Sequence, residues 1–80
     1  MRLPRDLSGS DLAQALRILG YSMTRQTGSH LRLTTFDHGE HHLTIPNHAP
    51  LRIGTLSAIL AEVAAHFTIS RDQLLARLFG

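Results

Sequence analysis

The chain has 80 residues and a formal net charge of +2 with neutral histidines, so we predict one domain spanning residues 1–80. It contains no cysteine, which excludes a disulfide framework, a thiolate nucleophile and a cysteine-ligated metal. All 8 of its Lys and Arg residues are arginine, which excludes lysine-based catalysis, while the modest positive charge is compatible with an RNA partner.

The first predicted element is a helix over residues 9–19. Ser8 fits its N-cap, and Asp11 lies three residues later near the positive end of the helix. Gly20 can adopt the left-handed conformation that ends a helix. Apolar residues recur at helical spacing and form one stripe: Leu12, Ala15, Leu16 and Leu19.

Three strands are predicted next, over residues 21–26, 29–35 and 41–45. Thr27-Gly28 is a short hairpin connection between the first two, and residues 37–40 form a longer polar turn. Pro46 ends the third strand.

Alternation along these strands separates an apolar face from a polar one. The apolar face comprises Tyr21, Met23, Leu31, Leu33, Leu43 and Ile45. The polar face comprises Ser22, Thr24, His30, Arg32, Thr34, His42 and Thr44. Such a pattern is typical of an antiparallel sheet with one solvated face.

Two more helices are predicted, over residues 54–66 and 71–78. Ser70 is the N-cap of the last helix, and Gln73 occupies the capping-box position. The predicted fold is therefore α+β, in the order α-β-β-β-α-α, with a three-stranded antiparallel sheet and the helices packed on one of its faces.

The most informative chemical feature is the triplet Gly28-Ser29-His30, which places an imidazole at the start of a strand on the polar face. Such a histidine can take the 2′-hydroxyl proton of RNA as that oxygen attacks phosphorus, or donate a proton to the departing 5′-oxygen. Gly28 allows close approach of a phosphate, Ser29 can hydrogen-bond it, and Arg25 or Arg32 can neutralise it. The alternative is a surface histidine that closes a hairpin.

His48, in the loop before the second helix, is an auxiliary candidate for proton transfer; a loop histidine bonded to backbone is the alternative. His41 and His42 are adjacent in a strand and point to opposite faces, so we expect no metal site. The carboxylates are scattered along the chain, which gives no basis for a two-carboxylate hydrolase. No cofactor is predicted.

Five segments of the chain form an ordered set: Leu3-Pro4, residues 16–21, Arg25-Gln26-Thr27-Gly28-Ser29-His30, Ile45-Pro46-Asn47-His48 and residues 54–60. Together they resemble the HicA family, the RNA-cleaving toxins of HicAB toxin–antitoxin pairs. The resemblance covers the chain from about Leu3 to Leu78, and the ordered set is highly specific.

The resemblance implies a fold like that of double-stranded RNA-binding domains and an mRNA interferase activity that needs no metal. The essential histidine of the family falls on His30, and its neighbouring glycine and serine fall on Gly28 and Ser29. His48 matches the histidine of a Pro-x-His element. The implied partners are mRNA and a HicB-type antitoxin, within a stress-response system of the cytoplasm.

Two other functions stay open: a non-catalytic double-stranded-RNA-binding module, and a protein that only titrates an antitoxin. Duplex-binding modules usually carry a Lys-rich cluster before the last helix, whereas residues 50–57 offer Arg52 alone. We expect neither a signal peptide nor a membrane span, because residues 1–10 hold no apolar run and the apolar stretches are short. A homodimer is left open.

Overall fold

The computed structural model describes residues 3–80, and its elements follow in the predicted order. Met1 and Arg2, which belong to the predicted domain, lie outside the described residues. The helices are α1 (Gly9–Ala15, continued by a 3-10 turn over Leu16–Leu19), α2 (Ile53–Phe67) and α3 (Arg71–Phe79). The strands are β1 (Ser22–Gln26), β2 (His30–Thr35) and β3 (His41–Pro46).

The ends of the first helix confirm two predictions. The Ser8 hydroxyl accepts a hydrogen bond from the Asp11 amide at 2.9 Å, and the Asp11 carboxylate accepts one from the Ser8 amide at 3.2 Å. Gly20 ends the helix in the left-handed region, with φ of +84°. The predicted continuous helix differs in its last turn, which tightens to 3-10 geometry as the Gly20 amide bonds the Arg17 carbonyl at 3.0 Å.

The three strands form one antiparallel sheet in the order β1-β2-β3, as predicted. One face of the sheet packs against the helices and is buried, because apolar residues alternate along β2 and β3. The residues of the two strands that reach this core are Leu31, Leu33, Leu43 and Ile45. The helices contribute further core residues: Leu12, Leu16, Leu56, Leu60, Val63, Phe67, Leu74 and Leu75.

The hairpin between β1 and β2 is shifted by one residue from its prediction. The Thr27 amide donates to the His30 carbonyl at 2.9 Å, so Gly28 and Ser29 are the turn residues and β2 begins at His30. The other predicted boundaries of strands and helices differ from the observed ones by one residue where they differ at all. These shifts leave every predicted element in place.

Met23 lies on the predicted face but is not buried. It pairs with Leu33 and is 46% exposed, because an open groove separates it from the first helical segment; the inward residues of β3, which is also an edge strand, are covered. Met23 and Leu33 border an open groove of about 350 Å³ that is lined on its other side by Ala13 and Arg17 of the first helical segment.

Within residues 3–80, no single helix is long and apolar enough to cross a membrane. Helices α2 and α3 reach the required length and composition only as a pair, and this pair is bent by 103° at its junction.

Candidate functional site

The hairpin turn holds the backbone of His30 at the start of β2. The His30 amide donates to Thr27 Oγ1 at 3.2 Å, while its carbonyl accepts the Thr27 amide at 2.9 Å. Across the sheet His30 pairs with Pro46 of β3. These contacts place the His30 side chain at one end of the polar face, and it is exposed there.

The His30 ring has one tethered nitrogen and one open nitrogen. Ser29 Oγ lies 3.0 Å from Nδ1, whereas Nε2 hydrogen-bonds no atom of residues 3–80. A serine hydroxyl can donate or accept, so the contact with Ser29 is compatible with either neutral tautomer. With Nδ1 protonated, Nε2 is free to accept a proton; with Nδ1 accepting from Ser29, Nε2 carries a proton that it can donate.

Two arginines share the face of His30. Arg32 lies two residues along β2, which is about 7 Å on a strand, and Arg25 of β1 is its pairing partner. Both are exposed, and neither forms an ion pair with a carboxylate in the part of the chain that the structure describes. This end of the sheet therefore presents two guanidinium groups without protein counter-charges.

Gly28 lies at the outer edge of the turn. A Cβ added there would meet nothing within 4 Å, and the Gly28 backbone is not in the left-handed region. Neither crowding within the protein nor backbone conformation therefore requires glycine at this position. The open space is compatible with the predicted approach of a phosphate.

The loop after β3 packs against the hairpin turn. The Asn47 amide donates to the Ser29 carbonyl at 2.9 Å, and the next residue, His48, accepts the Gly9 amide through its carbonyl at 2.9 Å. The fold thus brings the two predicted histidine segments together. His48 is exposed, and no hydrogen bond or ring contact joins it to His30 within residues 3–80.

A second histidine group, which we call the His41 cluster, lies at the other end of the sheet. His41 Nδ1 is 2.7 Å from the Tyr21 hydroxyl, and His41 Nε2 is 3.1 Å from Glu62 Oε2. The ring of His66 stacks on His41 at 4.5 Å and bonds the Asp37 carbonyl at 2.9 Å. Burial, with a contribution from the Glu62 charge, raises the pKa of Tyr21 well above its usual value.

His42 belongs to a chain of hydrogen bonds on the polar face. Its Nε2 lies 2.7 Å from the Glu40 carboxylate and its Nδ1 lies 2.8 Å from Thr34 Oγ1, which is 3.3 Å from Thr24 Oγ1. Thr34 lies on the predicted polar face, but it is only 4% exposed. The face is not solvated at this position because the hydroxyl of Thr34 contacts the side chains of Thr24 and His42.

His41 and His42 do not converge, as their alternation in β3 predicts. Among residues 3–80, no group of three or more histidine and acidic residues is arranged to hold a metal. Sequence reasoning missed Thr27 as an anchor of His30 and the Tyr21–His41–Glu62 contacts. The latter join residues 20 or more positions apart, which leaves no local pattern in the sequence.

Of the three comparisons with known proteins, one found a match. The model of a family described as "HicA toxin of bacterial toxin-antitoxin" matches residues 9–64, which is more than half of the chain. The matched range contains the hairpin turn, both arginines and His48, and it excludes α3. No curated protein and no solved structure matches the chain.

Proposed function

Since the chain belongs to the HicA family of bacterial toxins, we propose that this toxin is a cytoplasmic endoribonuclease that cleaves mRNA with His30 as its proton-transfer group. The proposed reaction uses imidazole chemistry and requires no metal ion or cofactor. RNA is the proposed substrate because the face around His30 is polar, carries two arginines and is open to solvent.

One observation carries the proposal: among residues 3–80, the His30 ring is bonded at Nδ1, open at Nε2, and shares its face with two arginines that have no ion-pair partners. A general acid or base must be held in place yet reach the substrate directly. His41 and His42 satisfy the first condition but not the second, because both nitrogens of each ring already have protein partners. His38 and His48 are exposed, but neither has a hydrogen bond that orients its ring among residues 3–80. His66 is bonded at Nε2 to the Asp37 carbonyl, but its ring is half-buried and stacks on His41, at the end of the sheet opposite the arginines.

Cleavage then follows from proton transfer at Nε2. In the base role, Nε2 takes the proton of a ribose 2′-hydroxyl while that oxygen attacks the adjacent phosphorus. The bond from phosphorus to the 5′-oxygen breaks, and the departing oxygen takes up a proton. The products are a 2′,3′-cyclic phosphate and a 5′-hydroxyl end. In the acid role, Nε2–H supplies the proton of the departing oxygen, and another group takes the 2′ proton.

Arginine and backbone groups supply the charge stabilisation that this reaction needs. Negative charge builds on the phosphorane oxygens in the transition state, and preorganised cations stabilise it most. Arg32 and Arg25 are the proposed phosphate ligands, the open space at Gly28 admits the strand, and Ser29 orients His30 beside it. His48 is the proposed auxiliary group because its loop packs on the same turn.

Membership of a toxin–antitoxin family implies an antitoxin partner, and we propose a HicB-type protein that covers His30. The reasoning is that inhibition must block access to the face on which the reaction takes place. In a complex of the toxin with its antitoxin, we expect His30 to resist carbethoxylation by diethyl pyrocarbonate, whereas it reacts in the free toxin. A complex that is inactive while His30 still reacts would contradict this steric account.

The experiment for the nuclease proposal compares His30→Ala with His38→Asn. His38 is also exposed and lies in the turn before β3 with φ of +58°, a conformation that asparagine tolerates. We expect His30→Ala to lower cleavage of mRNA by about 10²–10⁴-fold, the usual contribution of a positioned general acid or base. It should also abolish growth arrest, while His38→Asn retains both activities.

Circular dichroism of both variants separates loss of chemistry from loss of fold. An active and toxic His30→Ala variant would refute the proposal. A folded, antitoxin-free wild-type protein that binds duplex RNA without cutting it would instead favour the non-catalytic RNA-binding function. Absence of both binding and cleavage would favour antitoxin titration.

A further inference from the structure

The pairing of β1 with β2 changes register in the middle of β1. Ser22 pairs with Thr34 and Met23 with Leu33, but the next pair is Arg25 with Arg32, followed by Gln26 with Leu31. Thr24 is the extra residue, so β1 contains a β-bulge. A bulge places two residues of one strand opposite one residue of its neighbour.

This register shift decides the face on which Arg25 lies. Without it, Thr24 would oppose Arg32, and Arg25 would oppose Leu31, which faces the core. Paired residues share a face, so a slip of one position moves a side chain to the other side of the sheet. With the bulge, Arg25 lies on the face of Arg32 and His30.

The hairpin turn explains why an extra residue is needed. The hydrogen bond from Thr27 to His30 closes a turn of two residues and sets the register of the Gln26–Leu31 pair. The Met23–Leu33 pair, which faces the helices, is shifted by one residue from that register. Thr24 is the extra residue that accommodates this shift, so the two-residue turn and the apolar pairing can form together.

Side-chain hydrogen bonds hold the bulge in place. Thr24 Oγ1 donates to the Arg32 carbonyl at 3.4 Å and lies 3.3 Å from Thr34 Oγ1. The Thr34 hydroxyl also contacts the ring of His42 in β3, and that ring contacts the Glu40 carboxylate. The bulge of the edge strand is therefore linked across the sheet to the third strand.

We propose that Thr24 is a positioning residue: its bulge and hydroxyl hold Arg25 opposite Arg32, and the two arginines together bind one RNA phosphate near His30. This inference rests on the proposed nuclease function. Two guanidinium groups on paired residues repel each other unless an anion lies between them, and neither has a carboxylate partner in residues 3–80. The backbone register thus preorganises two guanidinium groups that one phosphate can bridge.

The test measures KM for a short RNA, and its dependence on salt, in the full chain carrying Thr24→Val, Thr24→Ser or Arg25→Gln. Thr24→Val keeps the branched shape but removes the hydroxyl. We expect it to raise KM about fivefold, the effect of losing one ordinary hydrogen bond, with kcat little changed. For Arg25→Gln, loss of one phosphate contact lowers the slope of log KM against log salt by about 0.7. Thr24→Val should lower it in the same direction, and Thr24→Ser should restore both values.

A double variant and a matched control make the test specific. If Thr24 acts through Arg25, the variant Thr24→Val/Arg25→Gln has the KM of Arg25→Gln alone, whereas independent effects would add. Thr44→Val is the same substitution on the same face but outside the bulge, and it should leave KM and the salt slope unchanged. Equal effects of Thr44→Val and Thr24→Val, or additive effects in the double variant, would overturn the proposal.

The failure of this inference differs from that of the proposed function. An active His30→Ala variant would refute the proposed nuclease function. An inactive His30→Ala variant, combined with wild-type KM and salt slope in Thr24→Val, would support the nuclease function and refute the role of Thr24. Circular dichroism of Thr24→Val confirms that the folded protein is measured.

Discussion

The two ends of the sheet use histidine in opposite ways. At the hairpin end, the ring of His30 shares one hydrogen bond with the neighbouring Ser29 among residues 3–80, and it faces solvent. At the other end, about 17 Å away along β2, His41 has protein partners on both ring nitrogens, a stacked neighbour and a side chain only 19% exposed. The same residue type is therefore accessible at one end and engaged in packing at the other.

The difference gives a criterion for choosing the proposed proton-transfer residue in a chain that has 6 histidines. A ring whose two nitrogens both bond protein groups cannot exchange a proton with a substrate without breaking one of those bonds. A ring bonded at one nitrogen has both a fixed orientation and an open atom. His66 shares this feature with His30, but it stacks on His41, whereas His30 faces solvent on the side of the two arginines. Four experiments test whether this contrast between the hairpin end and the His41 cluster is valid.

The largest expected effects come from replacing each of the two histidines by alanine. His41→Ala leaves the buried Tyr21 hydroxyl without its partner, which costs about 1–3 kcal/mol of unfolding free energy, while cleavage by the folded protein is retained. His30→Ala changes the unfolding free energy by no more than about 0.5 kcal/mol and loses cleavage. Urea unfolding and an RNA cleavage assay on both variants measure this. Loss of cleavage in a folded His41→Ala protein would contradict the assignment of a purely structural role to His41.

Alanine substitutions of the glycines at the two ends should also have different effects, on stability at Gly20 and on RNA binding at Gly28. Gly20 has φ of +84°, and an added Cβ would lie 2.9 Å from Thr35 Oγ1 and closer still to the Asp37 carboxylate. Gly20→Ala should therefore cost about 1–2 kcal/mol for the left-handed backbone, and more for the crowding. Gly28→Ala should leave the melting temperature almost unchanged yet weaken RNA binding. If Gly28→Ala binds RNA as the wild type does, no phosphate approaches that turn.

Tyr21 makes the His41 cluster sensitive to alkaline pH. The folded protein raises the pKa of Tyr21, so the neutral hydroxyl stabilises the fold fully below the unfolded pKa of about 10. As the pH rises above that value, the unfolded state ionises first, and stability falls by up to about 1.4 kcal/mol per pH unit until the folded pKa is reached. Urea unfolding between pH 9 and 11 should show this decline.

Tyr21→Phe is the control for that pH dependence. The chain has one tyrosine and neither lysine nor cysteine, so no other side chain titrates strongly in this interval. We expect the variant to be less stable than the wild type at pH 8 by about 1 kcal/mol and to lose the alkaline decline. A decline of equal size in Tyr21→Phe would assign it to another part of the molecule.

The smallest expected effect is on kcat when the hydrogen bond between Ser29 and the His30 ring is removed. Ser29→Ala removes the hydroxyl that orients the ring, and about 1 kcal/mol of lost orientation corresponds to roughly a fivefold lower kcat. Ser10→Ala, an exposed serine in α1, should leave kcat unchanged. Steady-state cleavage kinetics measure both variants, and an unaltered kcat in Ser29→Ala would show that the ring is held by other means.

Local patterns in the sequence predicted most of the fold. Ser8 and Ser70 cap helices as expected, Gly20 ends the first helix, and the alternation in β2 and β3 separates buried from exposed residues. These signals are reliable because each depends on neighbours within a few positions. The same locality predicted that His30 lies at a hairpin turn on the polar face.

The candidate site could be predicted only in part. Strict alternation places Thr24 on the polar face and, by the same rule, Arg25 on the buried face. The observed register places both opposite Arg32. Alternation cannot anticipate a bulge, because the need for one arises from two distant requirements, the closure of the hairpin turn and the pairing of Met23 with Leu33. The exposure of Met23 is a similar case, since it depends on the groove that the first helical segment leaves beside β1.

The sequence by itself determined the order of elements, the polar face and the position of the His30 triplet on it, because helix caps, turns and strand alternation are encoded over a few residues. Tertiary structure decided which histidines are occupied by protein partners, which face Arg25 occupies, and how the loop of His48 meets the turn. Those features depend on contacts between residues far apart in the chain, whose pairing is settled only when turn geometry and core packing are satisfied together.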